Sequence, residues 1–298
     1  HEQIQDYGKK KLFFSDQEII LKSIKLKNRT LSKNIKLNIL QEESKTKIYN
    51  NLKIRNVSIN SKTIKKNDIF FAIKGKKLDA NKFVPEAFKN KSALAIVNKY
   101  NKNFPLSKQI KVKNTLNFLT NCSSKLRENI DAKIIAITGS CGKTTLKEMI
   151  GSTLKKISKT TYSPKSFNNR YGVPLSLFNL KNNDQFGIFE VGMDKKGEID
   201  NLTKIVKPDL GIITNISYAH SKNFKNINHI ANAKAEIMNN IKKGGSIILN
   251  MDDNFFDYHK KLAIKKGLNV INSDMCSLPF KNETADVIMS IASFLAPF

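Results

Sequence analysis

The chain has 298 residues, three of them cysteines, and its 52 Lys and Arg against 25 Asp and Glu give a formal net charge of +27 at pH 7. That length is enough for two domains with sizeable cores. No run of about 20 residues is apolar enough to span a membrane. Few cysteines, odd in number, fit a reducing cytosol better than a disulfide framework. We therefore expect a cytoplasmic protein with no signal peptide and no membrane span.

The basic charge leaves two interpretations open. Lysines clustered on one face, with aromatic side chains between them, are typical of a nucleic-acid-binding module. In this chain the lysines are spread throughout and few aromatic residues lie between them. That distribution favours a lysine-rich solvated surface and no nucleic-acid partner. Such a surface also suits an anionic nucleotide substrate.

In chain order, residues 1–50 are polar, Lys-rich and weakly patterned. One amphipathic helix is predicted there, near Ser15–Leu26, with Ser15 or Asp16 as its N-cap. An alternating α/β region begins at about Leu52. Its predicted strands are Val57–Ile59, Ile69–Ile73 and Ala93–Val97, and its predicted helices are Asn81–Lys89 and Asn114–Asn129.

From Lys133 the pattern becomes repeated βαβ units. The predicted strands are 134–138, 187–191, 210–214, 246–249 and 268–271, and the predicted helices are 143–157, 228–241 and 254–266. The first of these helices carries an apolar stripe of Leu146, Ile150, Thr153, Leu154 and Ile157. Alternation of this kind predicts an α/β fold with a mostly parallel sheet and helices on both faces. Ligands of such folds gather at the carboxyl ends of the strands.

The segment Thr138–Thr145 joins a buried strand to the start of a helix. A glycine turn at a helix N-terminus points several backbone N–H groups at one spot, and the helix dipole adds positive potential there, so the turn favours phosphate. Lys143 can reach the β- and γ-phosphates, and the Thr144 hydroxyl can bind Mg²⁺. Gly139 lies one residue closer to Gly142 than in the common P-loop pattern. The residues expected to face the nucleotide are Gly139, Ser140, Cys141, Gly142, Lys143, Thr144 and Thr145.

Three further residues stand out beyond this loop. Glu190 ends a predicted strand, where a second Mg²⁺ ligand would lie, although acids at strand ends are common on surfaces. His220 follows the next strand in a loop, where a histidine is more often simply solvated. Lys234 lies on the apolar stripe that Ile230 and Ile237 define. It either extends its amine to solvent or is a functional lysine whose burial favours the neutral amine.

Together these motifs resemble the Mur ligase family of peptidoglycan synthesis. The loop Thr138–Thr145 is similar to the family's shortened Thr-Gly-x-x-Gly-Lys-Thr loop, which accounts for its spacing. The resemblance implies that Thr144 and Glu190 hold one Mg²⁺. It also implies that His220 and a carbamylated Lys234, in Ala-Lys-Ala-Glu-Ile, serve a second ion. Lys143, Glu190, His220 and Lys234 are then the catalytic candidates.

Other segments match the F-type branch of that family. Ser-Phe-Asn-Asn-Arg-Tyr-Gly-Val-Pro-Leu, residues 166–175, is similar to its subtype motif and implies that Asn168 and Asn169 face the nucleotide. Asn215, which opens the Asn-Ile-Ser-Tyr-Ala-His motif, and Asn250, which resembles the family's adenine-side asparagine, are expected on the same side.

The region from Val57 to Gly75 resembles the family's N-terminal uridine-nucleotide domain. By this resemblance Ser61, Lys62 and Thr63 lie near the UDP-sugar. The likeness therefore implies a small UDP-sugar-binding α/β domain that precedes the nucleotide-binding sheet.

Four segments follow from these likenesses. Residues 1–50 contain a remnant similar to the C-terminus of an E-type Mur ligase, plus a linker. Residues 51–131 form the UDP-sugar domain, and residues 132–271 form an incomplete central ATP-binding domain. Residues 272–298 resemble a piece of a methyltransferase core, and the likenesses of the two ends imply either a natural fusion or an artefact.

The resemblance implies an ATP- and Mg²⁺-dependent ligase that joins D-alanyl-D-alanine to UDP-N-acetylmuramoyl-tripeptide through an acyl phosphate. It also implies a monomer, and a dipeptide-binding domain that this chain lacks, so that we expect the isolated chain not to ligate. Two alternatives stay open. One is another ligase of the superfamily, of E-type or a folylpolyglutamate synthase, and the other is the nucleic-acid-binding module.

Overall fold

The computed structural model describes residues 35–48, 52, 54–75, 78–218 and 223–273. The predicted helix at Ser15–Leu26 and the tail after residue 273 lie outside the described residues. Two parallel sheets dominate the described part of the chain. No helix within that part is both long enough and apolar enough to cross a membrane.

The first sheet has four strands in the order β1-β2-β3-β4, all parallel. Their bounds are Val57–Ser58 for β1, Ile69–Phe71 for β2, Leu94–Val97 for β3 and Gln109–Lys111 for β4. The first three confirm predicted strands. Strand β4 was not predicted, because it has three residues and only Ile110 among them is apolar.

Three described α-helices precede the second sheet in the chain, and their bounds are Ile35–Ser44 for α1, Val84–Lys89 for α2 and Thr115–Asn129 for α3. The predicted helix Asn81–Lys89 is a 3₁₀ turn over 80–83 followed by α2, which has a proline in its first turn. Helix α3 begins one residue after its predicted start, because Asn114 is its N-cap and its side chain accepts a hydrogen bond from the Asn117 N–H.

Helix α1 was not predicted, because its sequence shows no clear amphipathic pattern. Leu37 and Leu40 are nevertheless buried. The Lys125 ammonium lies 2.6 Å from a carboxylate oxygen of Glu42 and 2.7 Å from one of Glu43. These ion pairs hold α1 against α3. The helix therefore depends on tertiary contacts and not on a periodic pattern in its own sequence.

The second sheet has six parallel strands in the order β10-β9-β8-β5-β7-β6. Their bounds are Lys133–Thr138 for β5, Thr160–Tyr162 for β6, Phe186–Glu190 for β7, Leu210–Ile213 for β8, Ser246–Asn250 for β9 and Asn269–Ser273 for β10. Strand β5 lies in the middle, between β7 and β8. Because the strands are parallel, the ends of β5, β7, β8 and β9 meet at one edge.

The helices of this sheet are α4 at Lys143–Ile157, α5 at Gly172–Phe178, α6 at Glu198–Val206, α7 at Ile227–Ala235 and α8 at Phe256–Lys265. Helix α4 has the predicted bounds. The predicted helix 228–241 is α7 followed by a 3₁₀ segment over 236–240. Three elements, β6, α5 and α6, were not predicted. Helix α5 has Gly172 and Pro174 as its first and third residues. Both residue types have a low helix propensity, so the sequence does not indicate a helix there.

Side chains of the central strands fill both faces of this sheet. On one face Ile135, Ile137 and Ile188 pack against Leu146 and Ile150 of α4. On the other face Ile134, Ala136 and Phe189 are fully buried. The α/β fold with covered sheet faces is therefore confirmed, whereas the four-segment division of the chain stays a prediction.

The predicted apolar stripe of α4 needs one correction. Ile157 is 75% exposed, because it is the last residue of the helix and lies beyond the core that Ile150 and Leu154 enter. A lysine, Lys147, takes a fully buried position on the same helix instead.

Candidate functional site

The loop between β5 and α4 can be made only with glycine at two positions. Gly139 has φ = +146°, and a Cβ atom on it would lie 1.8 Å from Oγ1 of Thr214. Gly142, the N-cap of α4, has φ = +76°. The loop therefore passes tightly beneath the end of β8 before the helix begins.

Hydrogen bonds fasten the loop to the segment that follows β8. The Ser140 N–H donates to the Asn215 carbonyl and the Cys141 N–H donates to the Asn215 side chain, both at 2.9 Å. The Thr214 hydroxyl donates to the Cys141 carbonyl at 2.6 Å. Asn215 thus shapes the loop from below, and Cys141 stays exposed.

The Lys143 ammonium folds back over the loop. Its Nζ donates to the carbonyls of Gly139 at 2.7 Å and Ser140 at 3.1 Å. Burial lowers the pKa of Lys143, and the nearby Glu190 carboxylate opposes that shift. A cation held over a helix N-terminus is an arrangement that attracts phosphate.

Thr144 and Glu190 meet across the edge of the sheet. The Thr144 hydroxyl donates to Oε2 of Glu190, and Nδ2 of Asn168 donates to Oε1, each at 2.7 Å. The Ser166 hydroxyl lies 3.3 Å from that of Thr144. Glu190 is 1% exposed, so its two carboxylate oxygens are held in fixed directions.

This oxygen set suits a hard divalent cation. Two adjacent oxygens around an octahedral Mg²⁺ lie about 2.9 Å apart, and the Thr144 and Glu190 oxygens are separated by 2.7 Å. No group of three or more His, Cys, Asp and Glu side chains that could hold a metal exists in the described ranges. A metal at Thr144 and Glu190 would therefore take its other ligands from water or from a bound phosphate.

Lys234 is buried, which decides between the two interpretations of its place on the apolar stripe. It is 2% exposed. Burial, and then the charge of Lys143, lower its pKa to about 7, with Cys141 opposing. The two amines therefore face the same space.

That space is a cavity of about 750 Å³ at the carboxyl edge of the sheet. One wall is the phosphate-loop side with Lys143 and Lys234, and the segment after β6 adds Asn169 and Arg170. The opposite wall runs from Gly192 into the first half of α6. A cavity with amines on one wall can accept a phosphate and a second anionic group beside it.

Glu236 was not among the residues predicted from the sequence, and it links two walls of this cavity by hydrogen bonds. Its carboxylate accepts hydrogen bonds from the N–H groups of Gly197 at 2.7 Å and Asp200 at 3.2 Å. Glu236 thereby caps α6 from the segment that follows Lys234. Its place two residues after Lys234, in Ala-Lys-Ala-Glu, was the available signal.

The remaining candidates lie at the same edge in different roles. The Asn169 side chain accepts from the N–H groups of Tyr171 and Gly172, both at 3.0 Å, and so caps α5. Asn250 ends β9 and accepts from the Asp252 N–H. Thr145 is exposed in the first turn of α4. Their predicted contacts with a nucleotide stay predictions, and His220 lies outside the described residues.

The candidates of the first sheet lie after β1, in a 3₁₀ turn over Ser61–Thr63. The Ser61 hydroxyl donates to Oε2 of Glu86 at 2.5 Å and is buried. Lys62 and Thr63 are exposed. The structure therefore places these three residues at the first sheet, and their contact with a UDP-sugar stays a prediction.

Comparison with known proteins decides the family. A family model described as the Mur ligase middle domain matches residues 137–289, more than half of the chain. The chain belongs to the Mur ligase family. The match reaches from β5 into the segment 272–298.

Relatives of this Mur ligase chain include two bacterial proteins named UDP-N-acetylmuramoyl-tripeptide–D-alanyl-D-alanine ligase. That of Buchnera aphidicola is 38% identical over 210 residues, which are 70% of this chain and 46% of the relative. That of Rickettsia prowazekii is 36% identical over 225 residues, or 76% and 49%. The chain thus spans about half the length of the curated relatives it matches.

Solved structures agree with the fold of this Mur ligase chain. MurF from Acinetobacter baumannii is 32% identical with a TM-score of 0.68, covering 79% of this chain and 52% of that one. MurF from Thermotoga maritima, solved in complex with ADP, is 27% identical with a TM-score of 0.62, covering 75% and 51%. The resemblance drawn from the motifs is therefore confirmed.

Proposed function

We propose that this chain carries the ATP-binding site, where the carboxylate is activated, of a ligase that joins D-alanyl-D-alanine to UDP-N-acetylmuramoyl-tripeptide. The observation that carries the proposal is the Thr144–Glu190 contact beside the glycine loop, which opens on a cavity shared by Lys143 and Lys234. The names of the relatives supply the substrates. A cytoplasmic location and a monomeric state are part of the proposal.

The reaction we propose has two steps. A carboxylate oxygen of the tripeptide attacks the γ-phosphorus of ATP, ADP leaves, and an acyl phosphate forms. The dipeptide amine then attacks the acyl carbon, a proton is lost, and inorganic phosphate leaves. The backbone N–H groups of the loop and the Lys143 ammonium stabilise the charge that develops on the phosphates.

We propose that Thr144 and Glu190 hold the Mg²⁺ that accompanies ATP. When bound, this ion neutralises phosphate charge and orients the γ-phosphate. The fit rests on two oxygens of suitable hardness and spacing, one of them on a buried carboxylate that Asn168 orients. Ser166 stands close enough to Thr144 to share in orienting the hydroxyl.

We propose that Lys234 becomes a carbamate. With a pKa of about 7, a large share of its amine is neutral at neutral pH, and the neutral amine adds CO₂ with loss of a proton. The product is a carboxylate on the cavity wall, able with His220 to serve a second cation. Full ligase activity of Lys234→Ala in an enzyme completed with the dipeptide-binding domain, in the presence or absence of added carboxylate, would contradict this role.

Calorimetric titration with a non-hydrolysable ATP analogue and Mg²⁺ tests the site. We expect binding by the chain, loss of binding in Lys143→Ala, and retention in Lys155→Ala, an exposed lysine on the same helix. No binding by the unaltered chain would contradict the proposal.

A second measurement tests the chemistry. We expect ATP with labelled γ-phosphate to release ADP, or to scramble its β,γ-bridging oxygen, only when UDP-N-acetylmuramoyl-tripeptide is present. Phosphate release that ignores the tripeptide would indicate a simple nucleotidase instead.

A further inference from the structure

Lys147 is a buried cation that the proposed reaction does not use. Its side chain is fully buried in α4, one turn after Thr144. Its Nζ donates to the Lys165 carbonyl at 2.5 Å and lies 2.8 Å from Oε1 of Glu148. Because burying an ammonium costs free energy unless it is paired and hydrogen-bonded, these two contacts keep it in place.

The carbonyl that Lys147 holds belongs to a strained residue. Lys165 has φ = +50°, a left-handed conformation that is sparsely populated by residues other than glycine, asparagine and aspartate. Such a conformation persists where surrounding contacts over-determine it. The hydrogen bond from Lys147 is one contact of that kind.

The strained residue lies inside a segment that is hydrogen-bonded at one end to β7 and at the other to the residues just after β7. Before it, the Ser163 N–H donates to the Ile188 carbonyl at 3.0 Å. After it, the Gly192 N–H donates to the Asn168 carbonyl at 2.8 Å. The hydrogen bond from Lys147 attaches the segment at a third point, between the two attachments just described. This bond comes from α4 and not from the sheet.

Two side chains of this segment act on the proposed cation site. The Ser166 hydroxyl lies 3.3 Å from that of Thr144, and Asn168 donates to Oε1 of Glu190 at 2.7 Å. Ser166 follows Lys165 directly, so a shift of the Lys165 carbonyl moves both groups. The direction of the Glu190 carboxylate therefore depends on where Lys147 holds the segment.

We propose that Lys147 is a positioning residue: by holding the Lys165 carbonyl it keeps Ser166 and Asn168 where they orient Thr144 and Glu190 for the divalent cation of the nucleotide. This inference rests on the proposed function. It adds a residue that touches neither nucleotide nor cation but sets how strongly Mg²⁺ strengthens nucleotide binding.

The test compares Lys147→Met with Lys155→Met by calorimetric titration of ADP with and without Mg²⁺. Without Mg²⁺ we expect Lys147→Met to bind ADP like the unaltered chain, since the loop and Lys143 are intact. The strengthening of binding by Mg²⁺ should fall by about ten- to a hundredfold, as when a group behind a metal ligand is lost. Lys155→Met, on an exposed position of the same helix, should keep the full Mg²⁺ response.

A double-variant cycle separates positioning from general structure. If Lys147 acts through Asn168, Lys147→Met added to Asn168→Ala should cause little further loss of the Mg²⁺ response. Additive losses would overturn the proposal, and so would an unchanged Mg²⁺ response in Lys147→Met. ADP binding that fails in the unaltered chain would instead overturn the proposed function, and the inference with it.

Hydrogen exchange shows whether the variant is folded. We expect faster exchange of the amides of 163–170 in Lys147→Met, with β5 and α4 protected as before. Faster exchange throughout the chain would assign Lys147 to folding and overturn the proposal. If that variant does not fold, Glu148→Gln weakens the same attachment from the half-exposed side, and it should lower the Mg²⁺ response to a smaller extent. A full response there would also count against the proposal.

Discussion

The two parallel sheets bury polar groups in different ways. In the first sheet these groups close turns: Ser61 donates to Glu86, Ser92 donates to two backbone carbonyls, and Asp68 accepts from the Lys65 N–H. These contacts lie inside the fold and stabilise the local chain.

At the carboxyl edge of the second sheet, buried charges collect around a cavity. Burial lowers the pKa of both Lys143 and Lys234, and the charge of Lys143 lowers that of Lys234 further. Glu190 is buried with them at 1% exposure. Both sheets are parallel, but the candidate site lies at the sheet where buried charged side chains are not fully paired with opposite charges.

The largest expected effect comes from replacing a glycine of the loop between β5 and α4 with alanine. In Gly139→Ala the new Cβ would meet the Thr214 hydroxyl at 1.8 Å in a strained backbone, so the loop must move. We expect nucleotide affinity to fall by more than about a hundredfold, since the loop N–H groups are the proposed phosphate ligands. Calorimetry would measure the change.

Gly244→Ala is the matched control. Gly244 also has a positive φ, of +75°, but open space surrounds it, and it lies at the opposite edge of the sheet. It should lose some stability and keep its nucleotide affinity. Equal affinities of Gly139→Ala and the unaltered chain would show that the loop does not bind the nucleotide.

Alkylation of Cys141 should also block nucleotide binding. This thiol is exposed in the loop, whereas Cys122 is buried and its pKa is raised by burial, so Cys122 should stay unmodified. Iodoacetamide treatment in a Cys276→Ser background, followed by titration, checks this. Cys141→Ser treated in the same way should keep its affinity, and an unchanged affinity after complete alkylation of Cys141 would refute the prediction.

A pair of buried carboxylates sharpens the comparison between the sheets. We expect Glu190→Gln to cut the Mg²⁺-dependent part of nucleotide affinity by about ten- to a hundredfold. Asp68→Asn in the first sheet should leave nucleotide affinity unchanged and cost about 1–2 kcal/mol of stability, because the Asp68 carboxylate accepts from a turn N–H and faces Arg55. Titration and urea unfolding of both variants would decide. If nucleotide affinity no longer depended on Mg²⁺ in Asp68→Asn, the expected difference between the two sheets would be contradicted.

The smallest effect concerns the pH dependence of stability. The pKa of Lys234 is about 7 in the folded chain against an ordinary value near 10.5, so the unfolded chain binds more protons between these values. The cost of burying the amine is then full below about pH 7 and fades as the pH rises towards 10.5. Lys234→Met should therefore unfold at higher urea concentration near pH 6.5.

We expect that advantage to be about 1–3 kcal/mol in CO₂-free buffer and to shrink steadily at higher pH. Lys155→Met, an exposed lysine, serves as the control with no such trend. An advantage of Lys234→Met that grows with pH would show that its amine is buried in the charged form.

Much of the second sheet was predictable because its elements are long and strongly periodic. Helix α4 has the predicted bounds, and Ile230 and Ile237, which define the predicted apolar stripe around Lys234, are both buried. Helices α1 and α5 were missed for different reasons. The first has almost no amphipathic pattern, and the second begins with a glycine and contains a proline.

Lys147 shows the limit of pattern reading on a predicted helix. It stands next to Leu146 in the sequence, on the flank of the apolar stripe, where lysine usually reaches solvent. The segment around Lys165 covers that flank, so the side chain is buried and bonded there. Which flank of a helix is covered depends on a neighbour distant in sequence.

The sequence by itself determined the glycine loop, the fold class and the family, because these follow from local turn chemistry and from the period of apolar residues. Only the tertiary structure decided which polar groups meet. Thr144 and Glu190 are 46 residues apart in the chain, and their contact exists because β5 and β7 are neighbours and end at one edge. Burial of the two lysines beside them depends likewise on packing between distant segments, which no local pattern encodes.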